Sequence, residues 1–163
     1  VYNQDKTAMP YALGSHPGFY LTQPLEQYTL TFTNATVPLM TLEMGTLPYI
    51  TGRRVPFTLS DTNQIRLSHT LLDPSSITFD TSAVTAVTLA SNDGDQQIAI
   101  SLDDFPYVTV WSPEHLNAPF VCVEPFAGLP DIAGEPTDWM HKLGNNILAP
   151  HQARGYRYTM TLD

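Results

Sequence analysis

The sequence is dominated by a two-residue alternation of apolar and polar side chains. In Tyr28–Thr33 the tyrosine, leucine and phenylalanine fall on one face and the threonines on the other, as in a half-buried strand. Ile98, Ile100 and Leu102 alternate with smaller residues in the same way. The 14 prolines and 9 glycines interrupt the chain so often that no long helical window remains. We therefore predict an all-β fold of short antiparallel strands, in a sandwich or a barrel.

Further strands are predicted where β-branched and aromatic residues cluster. These segments are Ile77–Phe79, Val84–Leu89, Tyr107–Trp111 and Tyr156–Leu162. Asn92–Asp95 contains an Asp-Gly pair, which is a strong signal for a hairpin between the two strands that flank it. Nearly all of the regular structure is therefore expected in strands.

Charge and composition limit the partners of this chain. Its 163 residues suit one domain. Acidic residues outnumber basic ones by 16 to 7, which argues against a nucleic-acid partner because phosphate backbones are bound by clustered Lys and Arg. No apolar run approaches the ~20 residues of a membrane span, so no membrane partner is expected. The single cysteine excludes an internal disulfide and favours a reducing, cytoplasmic compartment.

The first candidate functional residue is His16, within Leu13–Phe19. Glycines and a proline surround it, and we predict a constrained turn in which Pro17 holds His16 in extended geometry. A histidine fixed in this way can act as an acid or base, or it can simply bond a backbone carbonyl. The residues alone leave both interpretations open.

The second candidate is Glu124, which follows the apolar run Val121–Val123 and precedes Pro125. A carboxylate buried there is costly unless it is paired or used. Burial would also raise its pKa towards a range that suits a general base or acid near neutral pH. Alternatively, the alternation breaks at this point and Glu124 is exposed at the end of a strand.

Other residues with reactive or ligand-binding side chains are expected to have structural roles. Cys122 is expected to be a small core side chain rather than a nucleophile. Trp111 and Trp139 are expected to pack in the core or at its rim, and the alternative for each is stacking on a sugar face. Asp61 and Asp73 are predicted to be solvated turn residues. The five histidines show no metal-ligand spacing, so we predict neither a metal site nor a cofactor.

Four segments, in this order, resemble the aldose 1-epimerase (galactose mutarotase-like) family. They are Met9–Phe19 with His16, Tyr107–Pro113, Ala118–Gly128 with Glu124, and a C-terminal set of Lys142–Gly144, Leu148–Pro150 and Tyr156–Leu162. The resemblance extends over the whole chain and implies a large antiparallel β-sandwich. It also implies an isomerase that interconverts the α and β anomers of an aldose without a metal or nucleotide.

The resemblance assigns roles to individual residues. Glu124 is expected to be the base at the C1 hydroxyl and His16 the acid at the ring oxygen. This assignment requires the two side chains to face one cleft across a gap the size of a sugar ring. Substrate contacts are expected from Trp111 and from Phe126, which stands where the family often has tryptophan. Asp73 is the nearest equivalent, with Asp61, of an aspartate that binds sugar hydroxyls in the family.

Family members are longer, and the part that this chain lacks is N-terminal. We therefore expect residues 1–163 to be the C-terminal portion of a single β-sandwich domain. Because a divided sandwich exposes strand edges, we expect self-association or pairing with the missing N-terminal segment. The expected ligand is a monosaccharide, either a hexose or a hexose phosphate. The alternatives are a carbohydrate-binding or sugar-sensing module on the same fold, and an inactive fragment with a structural role.

Overall fold

A computed structural model describes residues 1–60, 62–134 and 138–163 of the chain. The strands are β1 (Met9–Tyr11), β2 (Leu13–Gly14), β3 (Gly18–Tyr20), β4 (Tyr28–Thr33), β5 (Leu39–Met44), β6 (Ile50–Phe57), β7 (Gln64–Arg66), β8 (Ile77–Asp80), β9 (Ala86–Ser91), β10 (Gln97–Ser101), β11 (Tyr107–Trp111), β12 (Phe120–Ala127), β13 (Asn146–Leu148) and β14 (Met160–Leu162). A single-turn α-helix, α1 (His69–Leu72), and a 3₁₀ turn (Leu25–Gln27) lie between strands. The described part of the chain holds no helix both long and apolar enough to cross a bilayer. The predicted all-β class is confirmed.

Most of the strands belong to two antiparallel sheets. Within the described residues, sheet I has the order β14-β10-β9-β4-β7, and sheet II has the order β2-β12-β11-β8-β5-β6, with β3 also paired to β12. The predicted hairpin is present, since β9 pairs with β10 across a turn that contains Gly94. This glycine has φ +81°, a conformation that residues with a Cβ rarely adopt.

The two sheets enclose an apolar core. Tyr28, Leu30 and Phe32 of β4 are completely buried, as the two-residue alternation predicts. The ring of Phe32 in sheet I lies 4.9 Å from the ring of Phe79 in sheet II, and the same cluster includes Val123 of β12. Side chains from both sheets therefore interdigitate, and the predicted β-sandwich is confirmed.

The predicted C-terminal strand Tyr156–Leu162 is only partly correct, because just its last three residues pair with another strand, as β14. The backbone N–H of Arg157 donates to Asp104 Oδ2 (2.9 Å). The backbone N–H of Thr159 donates to Ser101 Oγ (2.8 Å). Since side chains take these backbone donors, the first part of the segment is not part of a strand ladder.

Candidate active site

Glu124 owes its position to the alternation along β12. Val121 and Val123 are fully buried in the core between the sheets, so Cys122 and Glu124 point to the opposite face of sheet II. Strand β12 continues to Ala127, which places Glu124 within the strand rather than at its end. The residue is only 4% exposed. The interpretation of Glu124 as an exposed strand-end residue is therefore wrong.

His16 is carried by a segment that runs antiparallel to β12. Strands β2 and β3 both pair with β12 in the same register, and continuing that register through the residues between them sets His16 opposite Glu124. The N–H of Ser15 donates to the carbonyl of Pro125 (2.9 Å). Pro17 has no N–H to donate, so it interrupts the ladder without reversing the chain. The predicted turn is therefore wrong, whereas the extended course predicted for His16 agrees with this pairing.

The two glycines that flank His16 make room for side chains of β12. Gly14 lies opposite Phe126, and a Cβ at position 14 would stand 2.0 Å from the Phe126 ring. Gly18 lies opposite Cys122, where a Cβ would stand 3.4 Å from the thiol sulfur. Positions 14, 16 and 18 face the same side of the sheet. Of these three residues only His16 has a side chain, which projects over β12 towards Glu124.

The imidazole of His16 and the carboxylate of Glu124 are in direct contact. Nε2 of His16 lies 3.3 Å from Oε1 of Glu124, and the side chains are 61% and 5% exposed, respectively. Burial raises the pKa of Glu124 above its ordinary value, and the facing His16 partly offsets this effect. A carboxylate with a raised pKa is a stronger base than an exposed one, and here it stands beside a solvent-accessible imidazole.

The expected gap of a sugar ring between these two groups is wrong, because the structure places them at contact distance. The error lies in the chemical expectation rather than in the fold. The C1 hydroxyl and the ring oxygen of an aldose are bonded to the same carbon. An acid and a base that serve these two oxygens can therefore stand side by side, at one edge of the sugar.

A cavity of about 460 Å³ lies beside Glu124, within the size range of small-molecule sites. Glu124 and Phe126 of β12 line it, together with Met44 at the end of β5, Leu47 from the β5–β6 connection and Leu129 from the loop after β12. Sequence reasoning missed the last three residues. They are apolar positions far apart in the chain, and no local pattern distinguishes them from core residues.

The polar floor of this cavity is a row of three residues on neighbouring strands. Thr78 of β8 lies opposite Thr109 of β11, and Thr109 lies opposite Glu124 of β12. The two threonine hydroxyls are hydrogen-bonded to each other (2.8 Å). Sequence reasoning missed both threonines, because hydroxyl side chains are common in strands. One sequence signal could have identified Thr109. It lies two positions before Trp111 in the same strand, so the two side chains share one face of the sheet.

Of the predicted site residues, Phe126 lines the cavity together with Glu124, whereas His16 and Trp111 are not part of its lining. Trp111 stands beside His16, with ring centroids 6.1 Å apart and planes nearly perpendicular. The indole N–H of Trp111 donates to Glu114 (3.0 Å). This bond holds the indole next to the imidazole of His16.

Asp73 lies elsewhere and is not part of the cavity lining. It follows α1, and its carboxylate accepts a hydrogen bond from the backbone N–H of His115 (2.8 Å). Its predicted contact with sugar hydroxyls gains no support from this geometry. Asp61, the other aspartate considered for that role, lies outside the described residues.

Cys122 belongs to a cluster that spacing along the chain did not reveal. The ligating atoms of His16, Cys122 and Glu124 lie within 4.8 Å of one another, so these side chains could supply three ligands to a zinc-like ion. Burial and the nearby Glu124 carboxylate raise the pKa of the Cys122 thiol to about 11. The sulfur therefore keeps its proton near neutral pH, which makes it a poor ligand and a poor nucleophile.

Solved structures with the same fold cover nearly all of this chain. A galactose mutarotase-like protein from Lactobacillus casei ATCC 334 is 39% identical, with a TM-score of 0.86, over 99% of this chain and 54% of that one. A galactose mutarotase related enzyme from Lactobacillus acidophilus is 20% identical, with a TM-score of 0.79, over 99% of this chain and 53% of that one. The second likeness is one of fold alone.

A curated relative matches at the level of sequence. Protein LacX (chromosomal) of Lactococcus lactis subsp. lactis is 30% identical over 133 residues, which are 77% of this chain and 43% of the relative. No protein-family model matches the chain. The chain therefore spans about half the length of the proteins that it resembles, in sequence and in structure.

Proposed function

The chain belongs with the galactose mutarotase-like proteins, as its sequence motifs indicated, and on this premise we propose that it interconverts the α and β anomers of an aldose. Since one fold hosts many functions, the proposal depends on the site rather than on the fold alone. The observation that carries it is the buried carboxylate of Glu124, in contact with the exposed imidazole of His16. A cavity large enough for a monosaccharide is lined by Glu124, although His16 is not part of that lining.

The proposed reaction begins with ring opening. Glu124 removes the proton of the C1 hydroxyl while His16 delivers a proton to the ring oxygen, so that the C1–O5 bond breaks and an open-chain aldehyde forms. The raised pKa of Glu124 makes this carboxylate a stronger base than an exposed one. Because both oxygens are bonded to C1, the contact between His16 and Glu124 is compatible with a sugar placed at one side of the pair.

Ring closure uses the same two residues in the opposite sense. The aldehyde rotates about C1–C2, His16 takes the proton from the C5 hydroxyl, and Glu124 returns its proton to the carbonyl oxygen. Closure on the other face of the carbonyl gives the opposite anomer. Both residues end in their starting protonation states, so no cofactor is consumed.

We propose a sugar without a phosphate group as the substrate. Phosphate sites are built from Arg or Lys side chains that are free to bond it. Among the described residues, the cavity lining contains neither residue type. Arg53 and Arg54 do not line the cavity, and they are held by Glu43 and Asp80. Within this chain, these observations favour a neutral hexose over a hexose phosphate as the substrate.

The proposal is tested by polarimetry on freshly dissolved α-D-glucose and α-D-galactose. We expect the protein to accelerate mutarotation of at least one of them and Glu124→Gln to lower kcat/KM by roughly 10²–10⁴-fold, the usual contribution of a general acid–base group. Glu43→Gln is the matched control, because Glu43 lies on β5, accepts a hydrogen bond from Arg53 on β6 and does not line the cavity. This control should retain the wild-type rate.

Two other outcomes are informative. Saturable sugar binding without any acceleration would contradict the proposal and identify a carbohydrate-binding module. Because the chain spans about half the length of its relatives, the same assay is run on a longer polypeptide that includes the remainder of the sandwich. Activity confined to that polypeptide, and lost on Glu124→Gln, would mean that the other half completes the substrate pocket.

A further inference from the structure

The cavity floor contains a hydroxyl pair to which the proposed acid–base chemistry assigns no role. Thr78 and Thr109 line the cavity beside Glu124, and their Oγ1 atoms lie 2.8 Å apart. Thr78 is almost fully buried. Most of the neighbouring lining is apolar, as at Leu13 and Met44. Among the described residues, the polar side chains that a sugar in this cavity meets are therefore this pair, Glu124 and Ser76.

The threonine pair retains hydrogen-bonding capacity towards the cavity. Two hydroxyls carry two hydrogens, and the bond between Thr78 and Thr109 uses one of them. Across the described residues, neither hydroxyl has another hydrogen-bond partner. One hydrogen and several lone pairs thus remain for a ligand. A buried polar group without a partner costs free energy, so a ligand hydroxyl at this point is favoured over an apolar group.

The order of the strands places this pair on a defined side of Glu124. The segment that carries His16 borders β12 on one edge, and β11, which carries Thr109, borders it on the other. Glu124 therefore stands between His16 and Thr109. Directly opposite side chains in an antiparallel pair have Cβ atoms only about 4.5–5.5 Å apart. Groups on adjacent atoms of one sugar can span that separation.

The sugar has the same order of atoms around its anomeric centre. C1 carries the hydroxyl on which Glu124 acts, and its two ring neighbours are the ring oxygen and C2. With His16 at the ring oxygen, the threonine side of Glu124 falls at C2. We propose, on the basis of the proposed function, that Thr78 and Thr109 form a subsite for the C2 hydroxyl. The pair would select aldoses that carry this hydroxyl over 2-deoxy sugars.

The test compares D-glucose with 2-deoxy-D-glucose in the mutarotation assay. Thr109→Val and Thr78→Val keep the side-chain shape and remove one hydroxyl each. We expect each variant to lower kcat/KM for D-glucose by about fivefold to tenfold, as for the loss of one hydrogen bond to a neutral group. With 2-deoxy-D-glucose, the same variants should match the wild type within twofold, because the partner hydroxyl is already absent.

Two further variants separate binding from folding. Thr109→Ser restores the hydroxyl and should recover most of the D-glucose activity. Thr88→Val removes a hydroxyl from β9 in sheet I, away from the cavity, and should leave both sugars unaffected. An equal loss with D-glucose and 2-deoxy-D-glucose would overturn the proposal, because it would show a structural role. If a valine variant does not fold, a wild-type protein that turns over both sugars equally overturns it instead.

Failure of the threonine subsite can be distinguished from failure of the proposed acid–base function. If the wild type accelerates no mutarotation, the acid–base proposal fails, and titration calorimetry with the same two sugars still tests the subsite. D-Glucose bound at least fivefold more tightly than 2-deoxy-D-glucose, with the difference lost in Thr109→Val, supports the subsite without turnover. Equal affinities, or no binding of either sugar, overturn it.

Discussion

Two carboxylates on the same face of sheet II have opposite pKa shifts. Glu124 lies in the cross-strand row that contains Thr109, and Asp80 lies in the adjacent row, opposite Tyr107. Burial raises the pKa of Glu124. Burial acts on Asp80 in the same direction, but hydrogen bonds from Ser82 and Arg54 outweigh it, so the pKa of Asp80 is lowered.

The partners of the two groups explain this difference. Arg54 Nε donates to Asp80 Oδ2 (2.8 Å), and the guanidinium keeps its charge at all relevant pH values. Glu124 faces the largely exposed imidazole of His16 instead of a guanidinium, and this partner only partly offsets the effect of burial on its pKa. Asp80 is thus held as an anion for structural purposes, whereas Glu124 is left able to change its protonation state.

The largest expected effect is the difference in kcat/KM between variants of Glu124 and Asp80. Asp80→Asn makes the same chemical change as Glu124→Gln on the same face of one sheet. We expect Glu124→Gln to lower kcat/KM by roughly 10²–10⁴-fold and Asp80→Asn to change it by less than about threefold, since most surface-pair effects are small. Polarimetry on α-D-glucose measures both. Similar losses in the two variants would contradict the division of roles.

The next effect concerns His16, the residue that faces Glu124. His16→Gln removes the imidazole, and we expect kcat/KM to fall by roughly 100-fold, at the lower end for a general acid. Because the side chain is 61% exposed, the free energy of unfolding should change by less than about 0.5 kcal/mol. Urea titration measures this value beside the rate. A variant that loses stability as well as activity would indicate a structural histidine.

The pH dependence of stability should have opposite signs for the two carboxylates. The lowered pKa of Asp80 stabilises the fold above the unfolded-state value near pH ~4, and this contribution disappears as pH falls through the folded-state pKa. The raised pKa of Glu124 carries no penalty below its unfolded-state value. The penalty develops as pH rises through its folded-state pKa.

These signs are measured as free energies of unfolding of the variants between acid and neutral pH. At neutral pH, Asp80→Asn should lose about 1 kcal/mol, discounted for the partial exposure of its ion pair. Glu124→Gln should gain roughly 0.5–2 kcal/mol, a stability–activity trade-off. Both differences should shrink in acid. A destabilised Glu124→Gln would mean that the contact with His16 stabilises the folded protein.

The sequence was most informative where the alternation has a single buried face. Tyr28–Thr33 and Tyr107–Trp111 are strands with the predicted bounds, because register is strongly specified when one face must be buried. The family resemblance singled out His16 and Glu124, and the structure brings these two side chains into contact. Their catalytic roles stay a prediction.

The remaining features depend on contacts that local patterns do not contain. The glycines around His16 suggested a turn, but they serve close packing against Phe126 and Cys122. Thr78 and Thr109 are unremarkable in their own strands and gain a role only through cross-strand register. Asp73 has a plausible position in the chain, yet its carboxylate bonds the backbone of His115 instead of reaching the cavity.

The smallest expected effect concerns how the imidazole is held. Asp80 is held by a hydrogen bond from Arg54. The imidazole of His16 instead packs against the indole of Trp111, with ring centroids 6.1 Å apart and planes nearly perpendicular. Since such ring pairs contribute about 0.5–1.5 kcal/mol, Trp111→Leu should lower kcat about threefold to tenfold by freeing the imidazole. Trp111→Phe retains a ring, so most of the rate should remain. If Trp111 instead stacks on the sugar, Trp111→Leu will raise KM and leave kcat unchanged, and the comparison of the two variants at saturating D-glucose distinguishes these roles.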